Sequence, residues 1–167
     1  MEFDPQRFNG KFVKIEVLGS GTGAPDWVST GFEVYQKRLP PECRLLLTEC
    51  PIAKRKKGAR AEDYRNAEAE QFTRLLKPSA YVIALDKSGT QIETEALSMR
   101  LEKWMMEYPL VQIMIGGPDG LSSAVLRRAN WIMSLSTFTF PHFLVRILIA
   151  EQIYRAWSVL KNHPYHK

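Results

Sequence analysis

Five short runs of branched and aromatic residues, almost free of polar alternation, recur between longer stretches of helical character. They are Phe12 to Leu18, Leu45 to Thr48, Tyr81 to Leu85, Val111 to Ile115 and Trp131 to Leu135. A strand that is apolar on both faces has to be covered on both faces, so these runs predict a mostly parallel sheet rather than a one-sided antiparallel one. The intervening segments Trp27 to Arg38, Ala61 to Lys77, Glu93 to Tyr108 and Ser122 to Ala129 predict helices, with Thr94, Ser122 and Pro78 as start or stop signals. Strand and helix alternate along the chain, which gives an α/β fold class: a single domain with helices on both faces of the sheet. A last helix over Phe143 to Leu160 carries Phe143, Ile147, Ala150, Tyr154 and Trp157 on one stripe, with Leu144 and Leu148 beside it. So wide a stripe can be covered by the chain's own sheet or by a second copy, and the sequence slightly favours the sheet.

Composition narrows the class. The 167 residues are 45% hydrophobic and 25% charged, which suits one core, and no repeat or low-complexity linker divides them. A formal charge of +5 favours polyanions such as RNA or anionic membrane surfaces, while the balancing acidic residues argue against a merely sticky tail. Cys43 and Cys50 lack metal-ligand or redox spacing, so no metal site is expected and a reducing cytoplasm is the expected compartment. Phe143 to Ala150 is the most apolar stretch, but Arg146 interrupts it and it is too short to span a bilayer, so no membrane association is expected. Residues 1–11 carry Glu2 and Asp4 and lack the apolar run of a signal peptide, and they are expected to form a frayed or added extension before one domain over 12–167.

Two glycine-rich turns compete as ligand sites. Gly19-Ser20-Gly21-Thr22-Gly23-Ala24 follows the first strand and fits a dinucleotide-binding template, with Glu49 where a ribose-binding acid would stand. Pro25 and Asp26 interrupt the entry to the next helix, and too little chain remains for a second domain, so a flexible turn is the favoured reading. Ile115-Gly116-Gly117-Pro118-Asp119-Gly120-Leu121-Ser122 also joins a buried strand to a helix, and its paired glycines allow close backbone approach to a ligand. Two further segments could face the same ligand: the turn Leu85-Asp86-Lys87-Ser88-Gly89 at a strand's carboxyl end, and the hydroxyl-rich, aromatic loop Leu135-Ser136-Thr137-Phe138-Thr139-Phe140-Pro141-His142. The chain closes with Asn162-His163-Pro164-Tyr165-His166-Lys167, where Pro164 cannot continue a helix. Lys54-Arg55-Lys56-Lys57-Gly58-Ala59-Arg60 is the densest positive run, and the blander reading of such a run is a solvated loop.

Taken together and in this order, the turn at Leu85 to Gly89, the segment 115–122, the loop Leu135 to Pro141 with His142 and Arg146, Tyr154-Arg155-Ala156-Trp157 and the terminal Asn162-His163-Pro164-Tyr165-His166 resemble the SPOUT methyltransferases. Within them the chain is similar to the family that methylates ring nitrogen 3 of a pseudouridine in large-subunit (23S) ribosomal RNA. Pro25-Asp26-Trp27-Val28 and Thr30-Gly31-Phe32 fit as well, so the resemblance runs from about Phe12 to the end. It implies a C-terminal trefoil knot, an exception to the rule that chains do not thread their own loops. It also implies a homodimer, and S-adenosylmethionine held beside the subunit interface by Leu85, Gly116, Gly117, Leu135, Ser136, Thr137, Phe138, Thr139 and Phe140. The implied substrate is ribosomal RNA within the large subunit or the 70S ribosome, with Lys54, Arg55, Lys56, Lys57 and Arg60 on its phosphates. A sulfonium donor needs no metal; it needs an aligned nucleophile and a path for the imide proton. Arg155 would stabilise the developing oxyanion, His142 or His166 would take the proton, and Tyr165 would help align the base. The blander readings are an Arg155 paired with a carboxylate, His142 as a turn residue and a disordered tail. The sequence departs from the family in its extra N-terminal residues, its longer Gly-Ser-Gly-Thr-Gly turn, and Phe140 and Phe143 around Pro141-His142. Competing readings are a Rossmann-type enzyme using Gly19 to Gly23 and a non-catalytic RNA-binding dimer.

Overall fold

Strand β1 (Val13–Ser20) shows why the apolar runs lack alternation: Val13, Ile15 and Val17 enter one core while Leu18 enters another on the opposite face of the sheet. The computed structural model describes residues 11–52, 54 and 56–167, the side chain of His166 excepted, so the expected extension lies outside the described residues except for Lys11. After β1 come α1 (Asp26–Gln36), β2 (Cys43–Cys50), α2 (Ala61–Leu75), β3 (Tyr81–Thr90), α3 (Thr94–Glu107), β4 (Leu110–Ile115), α4 (Ser123–Leu126), β5 (Trp131–Met133), α5 (His142–Leu160) and a 3-10 turn (Pro164–His166). The five strands form one sheet in the order β2-β1-β4-β3-β5, and every pairing is parallel, where the sequence predicted a mostly parallel sheet.

Along that order the chain steps outward from β1 to β2, back across to β3, inward to β4 and out again to β5. If all crossovers share one hand, each reversal moves the connecting helix to the other face. Accordingly α1 and α3 lie on one face with α5 against both, and α2 and α4 lie on the other. On the first face Ile15, Ile83, Ile113, Leu101 and Ile149 are fully buried, each contributing about 1.5–3 kcal/mol of transfer free energy. On the second face Phe72, Leu76, Met114 and Val125 close a smaller core. Gln112 is buried there with its amide satisfied. Its Nε2 donates to Glu16 Oε2 (2.8 Å) and to the Leu75 carbonyl (3.0 Å), and its Oε1 accepts from the Lys77 N–H (2.8 Å), which fixes the end of α2 to β4.

The last helix buries Ile149, Ala150, Ile153, Tyr154 and Ala156 against the sheet and its neighbours, while Phe143, Ile147 and Trp157 of the expected stripe are half-buried. Gly31 of α1 allows the close crossing, because a Cβ there would lie 2.7 Å from Ile147 Cδ1. Strand β3 runs past its expected end at Leu85, and its extension presses against the chain leaving β5. A Cβ at Gly89 would meet the Met133 carbonyl carbon at 2.5 Å, and the Ser134 N–H donates to the Thr90 carbonyl (3.0 Å). Cys43 and Cys50 are buried free thiols, and burial pushes them up to about 12 and about 11 respectively, so both stay protonated.

Candidate functional site

A parallel sheet presents its strand-to-helix loops at the carboxyl ends of the strands, and ligands bind there. The loops after β3, β4 and β5 converge on a cavity of about 460 Å³, within the usual range for a small-molecule site. All nine residues expected to hold a cofactor line it: Leu85, Gly116, Gly117, Leu135, Ser136, Thr137, Phe138, Thr139 and Phe140. His142 and Val145, from the first turn of α5, line it too. Phe138 is 78% exposed and so sits at the rim, whereas Phe140 is half-buried. The loop braces itself, with Ser134 Oγ donating to the Ser136 carbonyl (3.0 Å) and Ser136 Oγ accepting from the Phe138 N–H (3.0 Å).

Neither glycine of the pair is demanded by space inside the cavity. A Cβ on Gly116 would strike the protein's own Gly120 carbonyl carbon at 2.8 Å, and one on Gly117 would strike Glu68 Oε1 at 2.7 Å. The turn is pressed against its own chain, so it is main chain that Gly116 and Gly117 offer to the cavity. Glu68, on α2, is buried behind them, and its Oε2 accepts from Ser20 Oγ (2.8 Å) and from the Gly117 N–H (3.1 Å). Sequence reasoning missed Glu68 and also Arg65, which lines the cavity from the same helix. Their positions on the inner side of a charge-rich helix were the available signal.

The front glycines serve a different purpose. The reversal between the β1-to-β2 and β4-to-β5 connections opens a crevice beside the end of β1, and Arg146 fills it. Its side chain is fully buried; Nη2 donates to the Ser20 (2.8 Å) and Gly21 (2.6 Å) carbonyls, and Nη1 pairs with Glu49 Oε1 at 2.6 Å. A Cβ at Gly19 would lie 2.7 Å from Arg146 Nε, and Gly21 has a φ of 102°. The turn that fits a dinucleotide template is occupied by the protein's own guanidinium, and Glu49 is that cation's partner. His142 packs against Phe143 with ring centroids 4.2 Å apart and the rings tilted by 43°. Burial, and then the nearby Arg146 charge, lower its pKa, so its imidazole is neutral at pH 7. Its Nε2 is buried without a hydrogen-bond partner.

The remaining expected catalytic residues lie elsewhere. Arg155 pairs with Glu151 through Nε (2.8 Å) and Nη2 (2.7 Å), and Tyr165 donates its hydroxyl to the same carboxylate (3.2 Å). The tail folds back on α5, its Tyr165 ring 4.7 Å from that of Tyr154 and beneath the Arg155 guanidinium. Burial, the Tyr35 hydrogen bond and the Glu151 charge push the Tyr165 phenol well above its ordinary pKa, so it acts as a donor here. At 1.5 Å per residue, Arg155 stands about 15 Å along α5 from the cavity-lining Val145, and neither it nor Tyr165 lines the cavity. The side chain of His166 lies outside the described residues. So does Arg55, whereas Lys54, Lys56, Lys57 and Arg60 are exposed. The Arg60 N–H donates to Asp63 Oδ2 (2.8 Å) while its guanidinium stands 3.9 Å from that carboxylate, and the Tyr64 hydroxyl donates to the Lys56 carbonyl (3.0 Å), anchoring the basic loop to α2. Among the described residues no group of His, Cys, Asp and Glu could hold a metal ion, and no helix is long and apolar enough to cross a membrane.

A family model described as predicted SPOUT methyltransferase matches residues 13–166. Three similar curated relatives are named ribosomal RNA large subunit methyltransferase H. The one from Hydrogenovibrio crunogenus is 43% identical over 155 residues, covering 93% of this chain and 99% of the relative. That from Coxiella burnetii is 40% identical over 155 residues, with coverage of 93% and 100%. That from Acinetobacter baumannii is 46% identical over 158 residues, with coverage of 93% and 99%.

Proposed function

The chain belongs to the SPOUT methyltransferase family, and on that premise we propose that it uses S-adenosylmethionine to methylate N3 of a pseudouridine in large-subunit ribosomal RNA. The convergence of the three carboxyl-end loops on one cavity carries this reading. The relatives' shared name directs the reading to ribosomal RNA, and a cytoplasmic site of action is part of the proposal. The cavity suits a nucleoside bearing an amino-acid arm: main chain at Gly116, Gly117 and 135–140 for polar edges, and Leu85, Ile115, Leu135 and Val145 for apolar faces. When bound, the cofactor supplies a methyl group activated by its sulfonium. The chain's part is to orient, to exclude water and to move one proton. The neutral His142 imidazole is the acceptor; its Nε2 is turned inward toward Gly21, which leaves Nδ1 for the imide proton.

Arg155, Tyr165 and His166 complete the site from a second subunit in this reading. The distance of Arg155 along α5 from the cavity of its own chain, with Tyr165 packed against it, argues for it, as do the exposed Trp27 and Val34 of α1 and the half-buried Leu144 and Leu148 of α5. In that dimer Arg155 stabilises the oxyanion that develops as the imide proton leaves. The close crossing of the β3 extension over Ile132 to Ser134 supports a trefoil knot. Lys54, Lys56, Lys57 and Arg60, with Arg55, hold phosphates of a large folded target, the assembled ribosome.

Mass mapping of ribosomal RNA from cells with and without the active protein tests the reaction: one pseudouridine in the large subunit should lose a methyl group when the protein is absent. A purified protein that binds a nicotinamide dinucleotide and not S-adenosylmethionine would overturn the reading. For the shared site, a heterodimer of one subunit lacking 163–167 and one carrying Gly117→Val should recover activity that neither homodimer has, and an inactive heterodimer refutes it.

A further inference from the structure

Glu68 is 4% exposed, and both donors on its Oε2, Ser20 Oγ and the Gly117 N–H, are neutral. Burying a carboxyl group is costly unless it is hydrogen-bonded, and here both bonds fall on one oxygen. A residue kept there at that cost grips whatever it touches. It touches the N–H of a cavity-lining glycine. A glycine has no side chain to fix its own backbone. At Gly117 both main-chain polar groups are instead held from outside: its carbonyl accepts from the Gly120 N–H (2.9 Å), and its N–H donates to Glu68. The opposite donor, Ser20, stands at the end of β1, so Glu68 links β1, α2 and the turn after β4 at one point.

We propose that Glu68 is a positioning residue for the methyl donor, which sets cofactor affinity by fixing the orientation of the Gly117 peptide without touching the ligand. The inference rests on the reading of the cavity as the S-adenosylmethionine site. It also explains why position 117 is glycine. A Cβ there would displace the Glu68 carboxylate, whose burial and two hydrogen bonds leave it little freedom to retreat.

The test measures S-adenosylmethionine and S-adenosylhomocysteine affinity by calorimetry, and KM against kcat in methyl transfer, for variants whose melting is followed in parallel. Glu68→Ala should raise Kd and KM for the donor about tenfold or more, while kcat at saturation stays within about threefold, because the lost grip acts on binding. Glu68→Gln keeps an acceptor oxygen and should remain within about threefold of wild type in Kd. Gly117→Ala should lose affinity to the same extent as Glu68→Ala, and the double variant should be no worse than Gly117→Ala alone, since both changes break one contact. Exchange of the Gly117 amide should quicken in Glu68→Ala and not in Glu68→Gln. A folded Glu68→Ala with unchanged Kd, or a Glu68→Gln as damaged as Glu68→Ala, overturns the inference. If Glu68→Ala does not fold, unchanged affinity in Gly117→Ala overturns it equally. Wild-type protein that binds neither ligand overturns the cofactor reading itself, a result visible before any variant is compared.

Discussion

Replacing Arg146 by Met removes a fully buried guanidinium while filling much of its volume. Two backbone acceptors lose their donor, the Ser20 and Gly21 carbonyls, both on buried residues. Each buried acceptor left unmet costs about 1–3 kcal/mol. The third partner, Glu49, has a side chain 35% exposed, so water replaces most of what the ion pair gave and that arm contributes about 1 kcal/mol or less. Two effects offset part of the loss: the guanidinium no longer has to be desolvated, and its Nε, buried without a partner, disappears. The net cost is about 3 kcal/mol, the low end for removing one member of a buried pair. For a chain of this size that lowers Tm by about 6–12 °C. Arg146→Lys should recover little, because one ammonium cannot span acceptors that a planar fork reaches together. Thermal unfolding by circular dichroism reads the effect, and Glu49→Gln adds a double-variant cycle in which the two changes should be less than additive. A melting point within about 2 °C of wild type for Arg146→Met would refute the reasoning.

Replacing Lys54, Lys56 and Lys57 together by Ser should lower the slope of log affinity for ribosomal RNA against log salt by about 2–3, at roughly 0.7–0.9 per lost phosphate contact. Donor affinity should not change, and an unaltered slope returns the run to a solvated loop. His142 titrates below its ordinary value in the folded chain, through burial and then the charge of Arg146. Below pH 6.5 the unfolded chain therefore binds more protons than the folded one, so this contribution to stability is whole above that pH and is lost as pH falls through the folded pKa. His142→Asn should flatten the loss of stability as pH falls below about 6.5, and an unchanged pH slope in urea unfolding refutes this.

The strands were legible because burial on both faces erases the polar alternation, and that pattern is local. Their ends were not. Strand β3 continues to Thr90 only because Thr90 and Gly89 meet the chain leaving β5, more than forty positions on, and no window along the sequence contains that meeting. The helix expected over Ser122 to Ala129 shrinks to four residues, capped by Ser122, because its last positions close as tight turns before β5. The Leu135 end of the fifth apolar run leaves the sheet because the chain there turns to line the cavity. Glu68 was only half legible: its place four residues from both Tyr64 and Phe72 sets it on the inner stripe of α2, but the hydroxyl it accepts from lies 48 residues away.

The two glycine-rich turns show where a motif stops informing and packing decides. Both follow a buried strand, and both bring the backbone to the carboxyl edge of the sheet, so spacing alone treats them alike. At the front, Gly19 is small so that an internal cation can pass beside it to the Ser20 and Gly21 carbonyls; at the back, Gly116 and Gly117 are small so that the turn can press against Gly120 and Glu68. In neither place is the glycine explained by a ligand's bulk. What separates them is the partner each backbone has. The front carbonyls point to a guanidinium that came from the fold itself. The back turn has its peptide fixed from behind and its other side open to the cavity. Arg146 was legible in the sequence as an interruption of an apolar run and as part of the family pattern, and neither showed where its charge would go. Its charge, an obstacle to any membrane span, closes one crevice of the sheet and leaves the neighbouring one for chemistry.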